Sequence, residues 1–358
     1  MKENNTMKAL RAHAPYDYRL EDIPRPAPKE GEILIRVLAC GICAGDVKSY
    51  HGGIRIWGTS EADRYIDAPV TGGHEICGEV VELGEGVSDF SVGDRIVTEQ
   101  IVPCGECVYC RRGTYWMCTR SAVYGFKEVC PGGFAEYAIL PRTSINHKVP
   151  ESLTLEQATL IEPIACGMHA LERAQIQHSD VVVISGLGGI GLSMLSIAAA
   201  AMPRLVIGLD VRPERAARGL DYGADYVFNP AECDVAEEIR NLTDGLGCDV
   251  YVEVSGSPIS VRQGLECTAN LGRFVQMGVF ADLVQADWNV IGDGKELTIL
   301  GSHLSGLTYP AVIRGIESGV IKTDGIVTHT FALGEWEKAF ETAEKDPTAL
   351  KVLLVPGE

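Results

Sequence analysis

The sequence lacks any apolar run that approaches the roughly 20 consecutive residues a transmembrane helix needs. Its first ten residues, MKENNTMKAL, also lack the apolar core of a secretory signal peptide, so we expect none. Of the 358 residues, 46% are hydrophobic and 22% are charged, which is an ordinary balance for a globular protein. The length allows two domains with separate hydrophobic cores.

Positive charge is also scarce. The chain has 31 lysines and arginines against 49 aspartates and glutamates, which gives a formal net charge of −18. Such an acidic surface repels nucleic acid and anionic lipid. The charge balance therefore argues against a nucleic-acid partner and against a membrane partner.

Disulfide bonds are not expected, although the chain has twelve cysteines. A chain of this length without a secretory leader fits the reducing cytoplasm, and we expect the protein there. Five cysteines fall into the metal-binding patterns described below. The other seven occur mostly in apolar contexts typical of reduced core residues: Cys40, Cys77, Cys130, Cys166, Cys233, Cys248 and Cys267.

Four cysteines lie close together in a polar segment that covers about residues 100–120. Their spacing is C-x2-C-x2-C-x7-C, and they are Cys104, Cys107, Cys110 and Cys118. Zinc in structural sites takes a closed tetrahedron of thiolates, and one loop can supply all four at this spacing. The residues between them offer no apolar core that would bury free thiols. The spacing therefore predicts a structural zinc site, which by itself does not indicate an activity.

The hydrophobic pattern changes twice along the chain. The first 150 residues are rich in glycine, proline and β-branched residues, which predicts an irregular all-β region. A helical stretch follows, with Ser152 and Thr154 as candidate N-caps. From Asp180 onward, buried-strand patterns such as VVVIS alternate with helical segments. This alternation predicts a doubly wound parallel sheet, so the fold class is α/β.

The tail from about residue 302 again mixes helices with short strands. Neither a repeat of fixed period nor a low-complexity linker separates it from the preceding part. We therefore predict that the parallel-sheet unit is inserted into the first domain. The expected boundaries are residues 1–163 and 302–358 for one domain and residues 164–301 for the other.

A glycine motif opens the predicted parallel sheet. Gly186, Gly188 and Gly191 form G-x-G-x-x-G between a buried strand and a helix, where a backbone turn can approach a pyrophosphate. Asp210 lies 19 residues after Gly191, where a carboxylate accepts bonds from the adenosine ribose and repels a 2′-phosphate. The motif predicts NAD rather than NADP, although Arg212 beside that strand end could meet a phosphate. The other candidate coenzyme residues are Gly189, Ile190, Arg215, Ser255, Gly278, Val279 and Ser302.

A second group of metal-ligand residues is spread along the chain. Cys43 ends a strand-like run, the His74–Glu75 pair begins 31 residues later, and Glu162 precedes a proline. These ligand types suit a catalytic zinc that keeps one position open. Neighbouring residues in a strand point to opposite faces, so His74 and Glu75 should not both bind one ion. We therefore expect Glu162 to be the better third ligand. Glu75 would then either contact the ligands without binding the metal, or exchange with Glu162 as a ligand.

The order of these motifs resembles the medium-chain zinc-dependent alcohol dehydrogenases over essentially the whole chain. A glutamate followed by proline at Glu162 is similar to the polyol branch of that family, of the sorbitol dehydrogenase type. The resemblance implies a GroES-like catalytic domain and a Rossmann domain, two zinc ions per chain and NAD. It also implies Cys43, His74, Glu75 and Glu162 around the catalytic zinc, and a homodimer or homotetramer. The implied reaction oxidises a secondary hydroxyl of a four- to six-carbon alditol, such as threitol, erythritol, xylitol or sorbitol.

The chain departs from the family pattern just after Cys43. Relatives usually carry a serine or threonine two residues later, whose hydroxyl relays the alcohol proton, and here that position is Gly45. A histidine often follows five residues after the cysteine, and here that position is Lys48. We therefore predict an ordered water beside Gly45 that passes the proton to Lys48, or to a hydroxyl of Ser49 or Tyr50. The alternative is that Lys48 is a solvated surface residue and the proton passes directly to bulk water.

The sequence motifs leave three other functions open. An amino-alcohol dehydrogenase of the L-threonine type would use Arg55 or Arg64 to bind a carboxylate. A non-enzymatic NAD-binding structural protein is possible, but the complete ligand set argues against it. A zinc-ribbon nucleic-acid binder is disfavoured by the net charge. The segment 51–69 is a few residues longer than usual, and its Trp57 either narrows the substrate pocket or anchors the loop.

Overall fold

The computed structural model describes residues 6–281 and 283–357, and it divides into two compact units. The first unit comprises Met1–Glu162 and Asp324–Glu358, and the second comprises Pro163–Thr323. In the part of the chain that is described, no helix is both long enough and apolar enough to cross a bilayer.

The second boundary differs from the expected one, because residues 302–323 belong to the second unit. Their hydrogen bonds explain the difference. The Thr308 hydroxyl donates to the carbonyl of Ala165 at 2.8 Å, and the Lys322 N–H donates to the Ser196 hydroxyl at 3.2 Å. These contacts attach the segment to two helices of the second unit, which a pattern read along the sequence does not reveal.

The described strands are numbered in chain order. They are β1 (Thr6–Ala14), β2 (Asp17–Pro24), β3 (Ile33–Ile42), β4 (Val70–Thr71), β5 (Glu75–Leu83), β6 (Arg95–Thr98), β7 (Ile101–Val102), β8 (Ala122–Val123), β9 (Tyr137–Leu140), β10 (Asn146–Lys148), β11 (Val181–Ser185), β12 (Leu205–Leu209), β13 (Tyr226–Phe228), β14 (Cys248–Glu253), β15 (Thr268–Gln276), β16 (Thr298–Gly301), β17 (Val327–Ala332) and β18 (Lys351–Val355).

The described α-helices are numbered in the same way. They are α1 (Ala44–Tyr50), α2 (Ile54–Trp57), α3 (Val108–Arg111), α4 (Leu155–Thr159), α5 (Ile161–Ala174), α6 (Gly189–Ala200), α7 (Pro213–Arg218), α8 (Val235–Leu242), α9 (Pro258–Cys267), α10 (Tyr309–Glu317) and α11 (Trp336–Lys345). Two 3-10 turns, Tyr115–Met117 and Leu333–Glu335, and a π-turn, Val290–Gly294, complete the regular structure.

The first unit is built around β3, as the predicted all-β region requires. This strand, ILIRVLACGI, is buried along nearly its whole length because it pairs with β5, β18 and β9. The antiparallel register sets Gly41 of β3 opposite Glu75 of β5, and Ile42 opposite Val352 of β18. Three segments that are distant in sequence therefore meet where β3 ends.

The second unit contains the predicted doubly wound sheet. Six parallel strands lie in the order β13-β12-β11-β14-β15-β16, which is the strand order of a dinucleotide-binding sheet. Strand β11, VVVIS, is buried at every position, because helices cover both faces of a parallel sheet. In this fold ligands bind at the carboxyl ends of the strands.

The helical stretch after residue 152 is divided rather than continuous. Thr154 is the N-cap of α4, and its hydroxyl and the Gln157 side chain form a capping box. Leu160 ends α4, and α5 begins at Ile161. The break positions Glu162 in the first turn of the second helix.

Candidate functional site

The four cysteines of the segment 100–120 form a compact cluster. Their Sγ atoms all lie within 4.8 Å of one another, and the Cys107–Cys110 and Cys107–Cys118 separations are 3.5 and 3.8 Å. A tetrahedral zinc with bonds of about 2.3 Å separates its sulfur ligands by about 3.8 Å. The cluster Cys104, Cys107, Cys110 and Cys118 therefore fits a structural zinc, as the spacing predicts.

The backbone around the cluster favours the thiolate form of two of the four cysteines, Cys107 and Cys104. Backbone N–H groups of Cys110 and Thr119 lower the pKa of Cys107 to about 5. The N–H groups of Glu106 and Cys107 likewise lower the pKa of Cys104. Burial, followed by the neighbouring sulfurs, raises the pKa of Cys110 to about 12. Four thiolates at this distance repel one another, so a cation is needed to hold them together.

A buried carboxylate links this zinc lobe to the sheet of the first unit. Glu99, which follows β6, accepts a hydrogen bond from the Tyr115 hydroxyl at 2.7 Å and lies 3.0 Å from Nε2 of His147 on β10. Only 1% of the Glu99 surface is exposed. If the lobe loses its order, the sheet will therefore lose one of its stabilising contacts.

The second group of ligands gathers where β3 ends. One ligand atom each from Cys43, His74 and Glu75 lies within 4.8 Å of the others. Zinc bonds of about 2.0–2.3 Å bring ligand atoms this close. Cys43 follows β3 and caps α1, while Glu75 is the first residue of β5, opposite Gly41. A thiolate, an imidazole and a carboxylate with this spacing fit a catalytic zinc.

The structure groups Glu75, rather than Glu162, with Cys43 and His74, whereas strand alternation led us to expect Glu162 as the better third ligand. The reason is that His74 precedes the strand and follows Gly73, whose φ of +90° turns the backbone. The imidazole and the Glu75 carboxylate can then face the same point. Glu162 lies outside this close group, but its charge helps to raise the pKa of Lys351, so it is near the site.

Asp46 is a site residue that we did not predict. Its carboxylate accepts the Cys43 N–H at 2.9 Å and lies 3.5 Å from Nδ1 of His74, which leaves Nε2 for the metal. Burial disfavours a charged imidazole, but the Asp46 and Cys43 charges outweigh it and raise the pKa of His74. Asp46 lies three residues after Cys43, which is the spacing of a capping box, and this spacing could have identified it from the sequence.

Lys351 is the second unpredicted residue. Its Nζ lies 2.5 and 2.7 Å from the two carboxylate oxygens of Glu75 and donates to the carbonyl of Ile42 at 3.2 Å. Burial lowers the pKa of Lys351, but the charges of Glu75, Cys43 and Glu162 raise it overall. No sequence signal joins the pair, because 276 residues separate them.

Gly41 makes room for this ion pair. A Cβ atom at that position would overlap the Glu75 carboxylate. The two strands can therefore bring the carboxylate between Lys351 and the other ligands only because residue 41 has no side chain.

The proton-relay candidates lie on different sides of α1. The hydroxyl of Ser49 is buried and accepts a hydrogen bond from Tyr18 at 2.8 Å, and the ring of Tyr50 packs against Trp336. Of the three residues, Lys48 is the exposed one, and it carries a titratable group.

We expect Lys48→Met to lower kcat severalfold and to change the pH dependence of kcat, because a proton leaving near Gly45 loses its carrier. Stopped-flow or steady-state rates from pH 6 to 10 measure this. Lys29→Met, which removes an equally exposed charge elsewhere in the first unit, is the control. A Lys48→Met enzyme with the wild-type kcat and pH profile would exclude Lys48 as the relay.

Trp57 anchors its loop, which was one of the two expected roles. Its indole Nε1 donates to the carbonyl of Ser49 at 2.7 Å, and its ring packs against the core of the first unit. Arg55 is exposed and Arg64 is half-buried. Neither arginine forms an ion pair with a described residue, so both guanidinium groups are available to an external carboxylate.

The glycine motif lies at the carboxyl end of β11, as predicted. Gly186 has a φ of +105°, and a Cβ there would come within 2.8 Å of the Ser255 backbone. Gly188 is the N-cap of the 12-residue helix α6, whose first N–H groups and partial positive charge suit a pyrophosphate. These features fit a dinucleotide, and Gly189, Ile190 and Gly191 form the first turn of that helix.

Asp210 follows β12 and is already hydrogen-bonded to the glycine loop. One carboxylate oxygen accepts the Leu187 N–H at 2.7 Å and the other accepts the Arg212 N–H at 2.8 Å. The Arg215 guanidinium would lie 3.9 Å from a Cβ atom at Gly188, so it is close to the glycine loop. The carboxylate and both arginines are therefore grouped where an adenosine ribose would bind.

The remaining candidate coenzyme residues lie at the ends of later strands. Ser255 follows β14, Gly278 and Val279 follow β15, and Ser302 follows β16. All of them therefore occupy the carboxyl edge of the parallel sheet, where the fold binds ligands.

Comparison with known proteins agrees with this arrangement. Residues 29–151 match the model of the alcohol dehydrogenase GroES-like domain, and residues 189–318 match that of zinc-binding dehydrogenases. The erythritol/L-threitol dehydrogenase of Mycolicibacterium smegmatis is 44% identical over 98% of both chains. The L-threonine 3-dehydrogenase of Pyrococcus horikoshii is 37% identical over 93% of both. A zinc-binding dehydrogenase from Sinorhizobium meliloti, solved with NADP, covers 98% of this chain and 99% of its own at 28% identity, with a TM-score of 0.89.

Proposed function

The chain belongs to the medium-chain zinc-dependent alcohol dehydrogenases, and from this premise we propose that it oxidises a secondary hydroxyl of a polyol to a ketone, with NAD as the hydride acceptor. The observation that carries the proposal is the group Cys43, His74 and Glu75 in the first unit, together with full-length similarity to a polyol dehydrogenase. We assign the catalytic role to the first unit and the coenzyme role to the second.

The chain's own residues have separable tasks in this reaction. A bound zinc supplies a Lewis acid that lowers the pKa of an alcohol, and bound NAD accepts the hydride. Cys43, His74 and Glu75 would hold the metal, and Asp46 would orient the imidazole of His74. Lys351 neutralises part of the negative charge of these ligands. Removing one proton from the substrate hydroxyl then requires a path to solvent, for which Lys48 is the candidate.

Four-carbon alditols are the substrates we favour within the polyols. The similarity to an erythritol/L-threitol dehydrogenase supports this choice, whereas Trp57, with its indole engaged in the loop, gives no separate argument for a short substrate. The competing candidate is an L-threonine dehydrogenase, which the second relative supports. An amino acid would need a cation for its carboxylate, and Arg55 and Arg64 are the candidates for that role.

The direct test is NAD reduction measured across two- to six-carbon alditols, sugars and L-threonine with the zinc-loaded protein. We expect the highest kcat/KM for erythritol or threitol and at least a hundredfold lower value for L-threonine. A preference for L-threonine would overturn the polyol assignment. No turnover of any alcohol, in a protein that binds zinc and NAD, would favour a non-enzymatic role.

NAD should be preferred over NADP because of Asp210. Replacing Asp210 with serine, with Arg212 and Arg215 kept, is expected to lower the ratio of kcat/KM for NAD to that for NADP by at least about tenfold, since a carboxylate that repels a 2′-phosphate is lost. The largely exposed Asp244, changed to Asn, is the control for loss of one charge in the same unit. A wild-type ratio near one would remove Asp210 from this role.

We further propose that two chains associate as a homodimer through β16. This strand is at the edge of the parallel sheet and pairs only with β15 among the described strands. An unpaired edge offers N–H and carbonyl groups to an identical strand. Leu283 and Trp288, which are 97% and 75% exposed, precede it and would also be covered.

Trp288→Glu is expected to shift the molar mass in light scattering after size exclusion from the dimer to the monomer. Leu246→Glu, at an equally exposed apolar residue in another loop, should leave the dimer intact. A wild-type monomer, or a Trp288→Glu dimer, would contradict the proposed interface. A dimer of soluble dehydrogenase chains acting on small polyols also fits the cytoplasmic location expected from the sequence.

A further inference from the structure

A carboxylate without a cationic partner lies buried at the carboxyl end of β14. Glu253, the last residue of that strand, has no exposed surface. Its carboxylate accepts hydrogen bonds from the Ser255 hydroxyl and from the Gly256 N–H, the latter at 3.0 and 3.2 Å. Ser260 is close enough to lower the pKa of this carboxyl, and its hydroxyl lies 2.8 Å from that of Ser185 at the end of β11.

These partners favour the ionised form of the side chain. Ser255, Ser260 and Gly256 can all donate, and a carboxylate accepts without donating. Burial raises the pKa of Glu253 overall, and the interactions with Ser255, Ser260 and Gly256 oppose part of that increase. Within residues 6–281 and 283–357, no lysine, arginine or histidine forms an ion pair with Glu253. The negative charge is therefore solvated by neutral dipoles and remains uncompensated.

Glu253 ends one of the strands at which we expect the nicotinamide half of the coenzyme to bind. A doubly wound sheet of this order binds a dinucleotide as two halves, and the glycine loop and Asp210 mark the adenosine half at β11 and β12. The strands β14 and β15 therefore receive the nicotinamide nucleotide.

The glycine at the end of β15 lets the carboxylate lie directly beneath the loops of this second half. The N–H groups of Met277 and Gly278 donate to the Glu253 carbonyl at 3.0 and 2.9 Å. A Cβ on Gly278 would overlap the Glu253 carboxylate and the N–H of Gly256. The charge is thus held between the chain segments that end β14 and β15, with no intervening side chain at residue 278.

We propose that Glu253 makes the coenzyme site prefer oxidised over reduced coenzyme, and thereby favours alcohol oxidation. The nicotinamide ring is cationic in NAD+ and neutral in NADH, so a fixed negative charge in a poorly screened interior attracts the first and not the second. The residue acts through its field and does not need to touch the ring. This inference rests on the proposed NAD-dependent function.

The test compares the dissociation constants of NAD+, NADH and ADP-ribose for wild type and Glu253→Gln by calorimetry and NADH fluorescence. Gln has the same size and keeps an acceptor oxygen but carries no charge. We expect the dissociation constant of NAD+ to rise by about tenfold, the effect of one charge acting over roughly 10 Å at an effective dielectric constant of about 20. The constants for NADH and for ADP-ribose, which has no nicotinamide, should change by less than about twofold.

Three variants separate the charge from structural support. Glu237→Gln removes an exposed charge of the same unit and should change none of the constants. Ser260→Ala and Glu253→Asp keep the charge while disturbing the hydrogen bonds, and should keep the ratio of NADH to NAD+ dissociation constants within about twofold even if their melting temperatures fall. If Glu253→Gln does not fold, these two folded variants decide, because a tenfold change of the ratio in either would overturn the proposal.

Binding of NADH and ADP-ribose by the wild-type protein tests the coenzyme site separately from the role of Glu253. If wild type binds neither NADH nor ADP-ribose, the coenzyme assignment itself is wrong. A second outcome is that wild type binds both, while Glu253→Gln leaves the dissociation constant of NAD+ unchanged or raises the dissociation constants of all three ligands equally. In either case Glu253 supports the structure without favouring the oxidised coenzyme.

Discussion

Lys351→Met should abolish most of the activity and destabilise the first unit. Lys351 and Glu75 are 8% and 1% exposed, so the methionine would leave the carboxylate buried without its cation. Removing one partner of a buried ion pair typically lowers the free energy of unfolding by about 3–5 kcal/mol. Glu75 would then be free to bind the metal more tightly, so we expect kcat to fall by at least about a hundredfold while catalytic zinc is retained.

A double-mutant cycle measures whether the effect comes from this pair. Glu75→Gln alone and Lys351→Met alone should each reduce stability, and the double variant should lose less than the sum by about 2 kcal/mol or more. The visible spectrum of the cobalt-substituted protein should change in Lys351→Met, since the coordination of Glu75 changes, and should recover partly in Lys351→Arg. Lys345→Met on α11 is the exposed control. Additive effects on stability together with an unchanged cobalt spectrum would show that Lys351 does not position Glu75.

Cys107→Ser should release about one zinc ion per chain and lower the melting temperature by several degrees. Three remaining thiolates hold the ion more weakly, and much of the binding free energy of a structural zinc is folding free energy. The loss should reach the sheet, because Tyr115 of the lobe and His147 of β10 share the Glu99 carboxylate. Metal analysis by mass spectrometry and thermal unfolding followed by circular dichroism provide the measurements.

The control is Cys233→Ser, which changes a half-buried cysteine outside both metal groups. That variant should keep two zinc ions and nearly the wild-type melting temperature. Full zinc content and unaltered melting of Cys107→Ser would show that the four cysteines are not a structural zinc site.

The parts of the site that the sequence predicts are those whose residues are close in the chain or follow a regular element. The four cysteines and the glycine motif belong to this class, because one loop and one strand–helix turn form them. Glu75 was ranked below Glu162 because the alternation argument treats His74 as part of a strand. Gly73 breaks that regularity, and a single sequence does not show that its φ is positive.

Residues that meet only through sheet pairing were missed for a different reason. Lys351 reaches Glu75 because β18 and β5 both pair with β3, and nothing in the local sequence of β18 marks its lysine as buried. The same limit applied to residues 302–323, whose place in the second unit depends on side-chain hydrogen bonds to α5 and α6. Local patterns identify elements, whereas these contacts depend on how the elements assemble.

The two glycines on either side of Cys43, Gly41 and Gly45, differ in the space available for a side chain. At Gly41 every other residue would collide with the Glu75 carboxylate, so this position is closed to variation while the ion pair persists. At Gly45 a Cβ would meet only the Cys43 sulfur, at an ordinary contact distance of 3.7 Å. A side chain can therefore begin at Gly45 without displacing a neighbour, so packing does not require a glycine there as it does at residue 41.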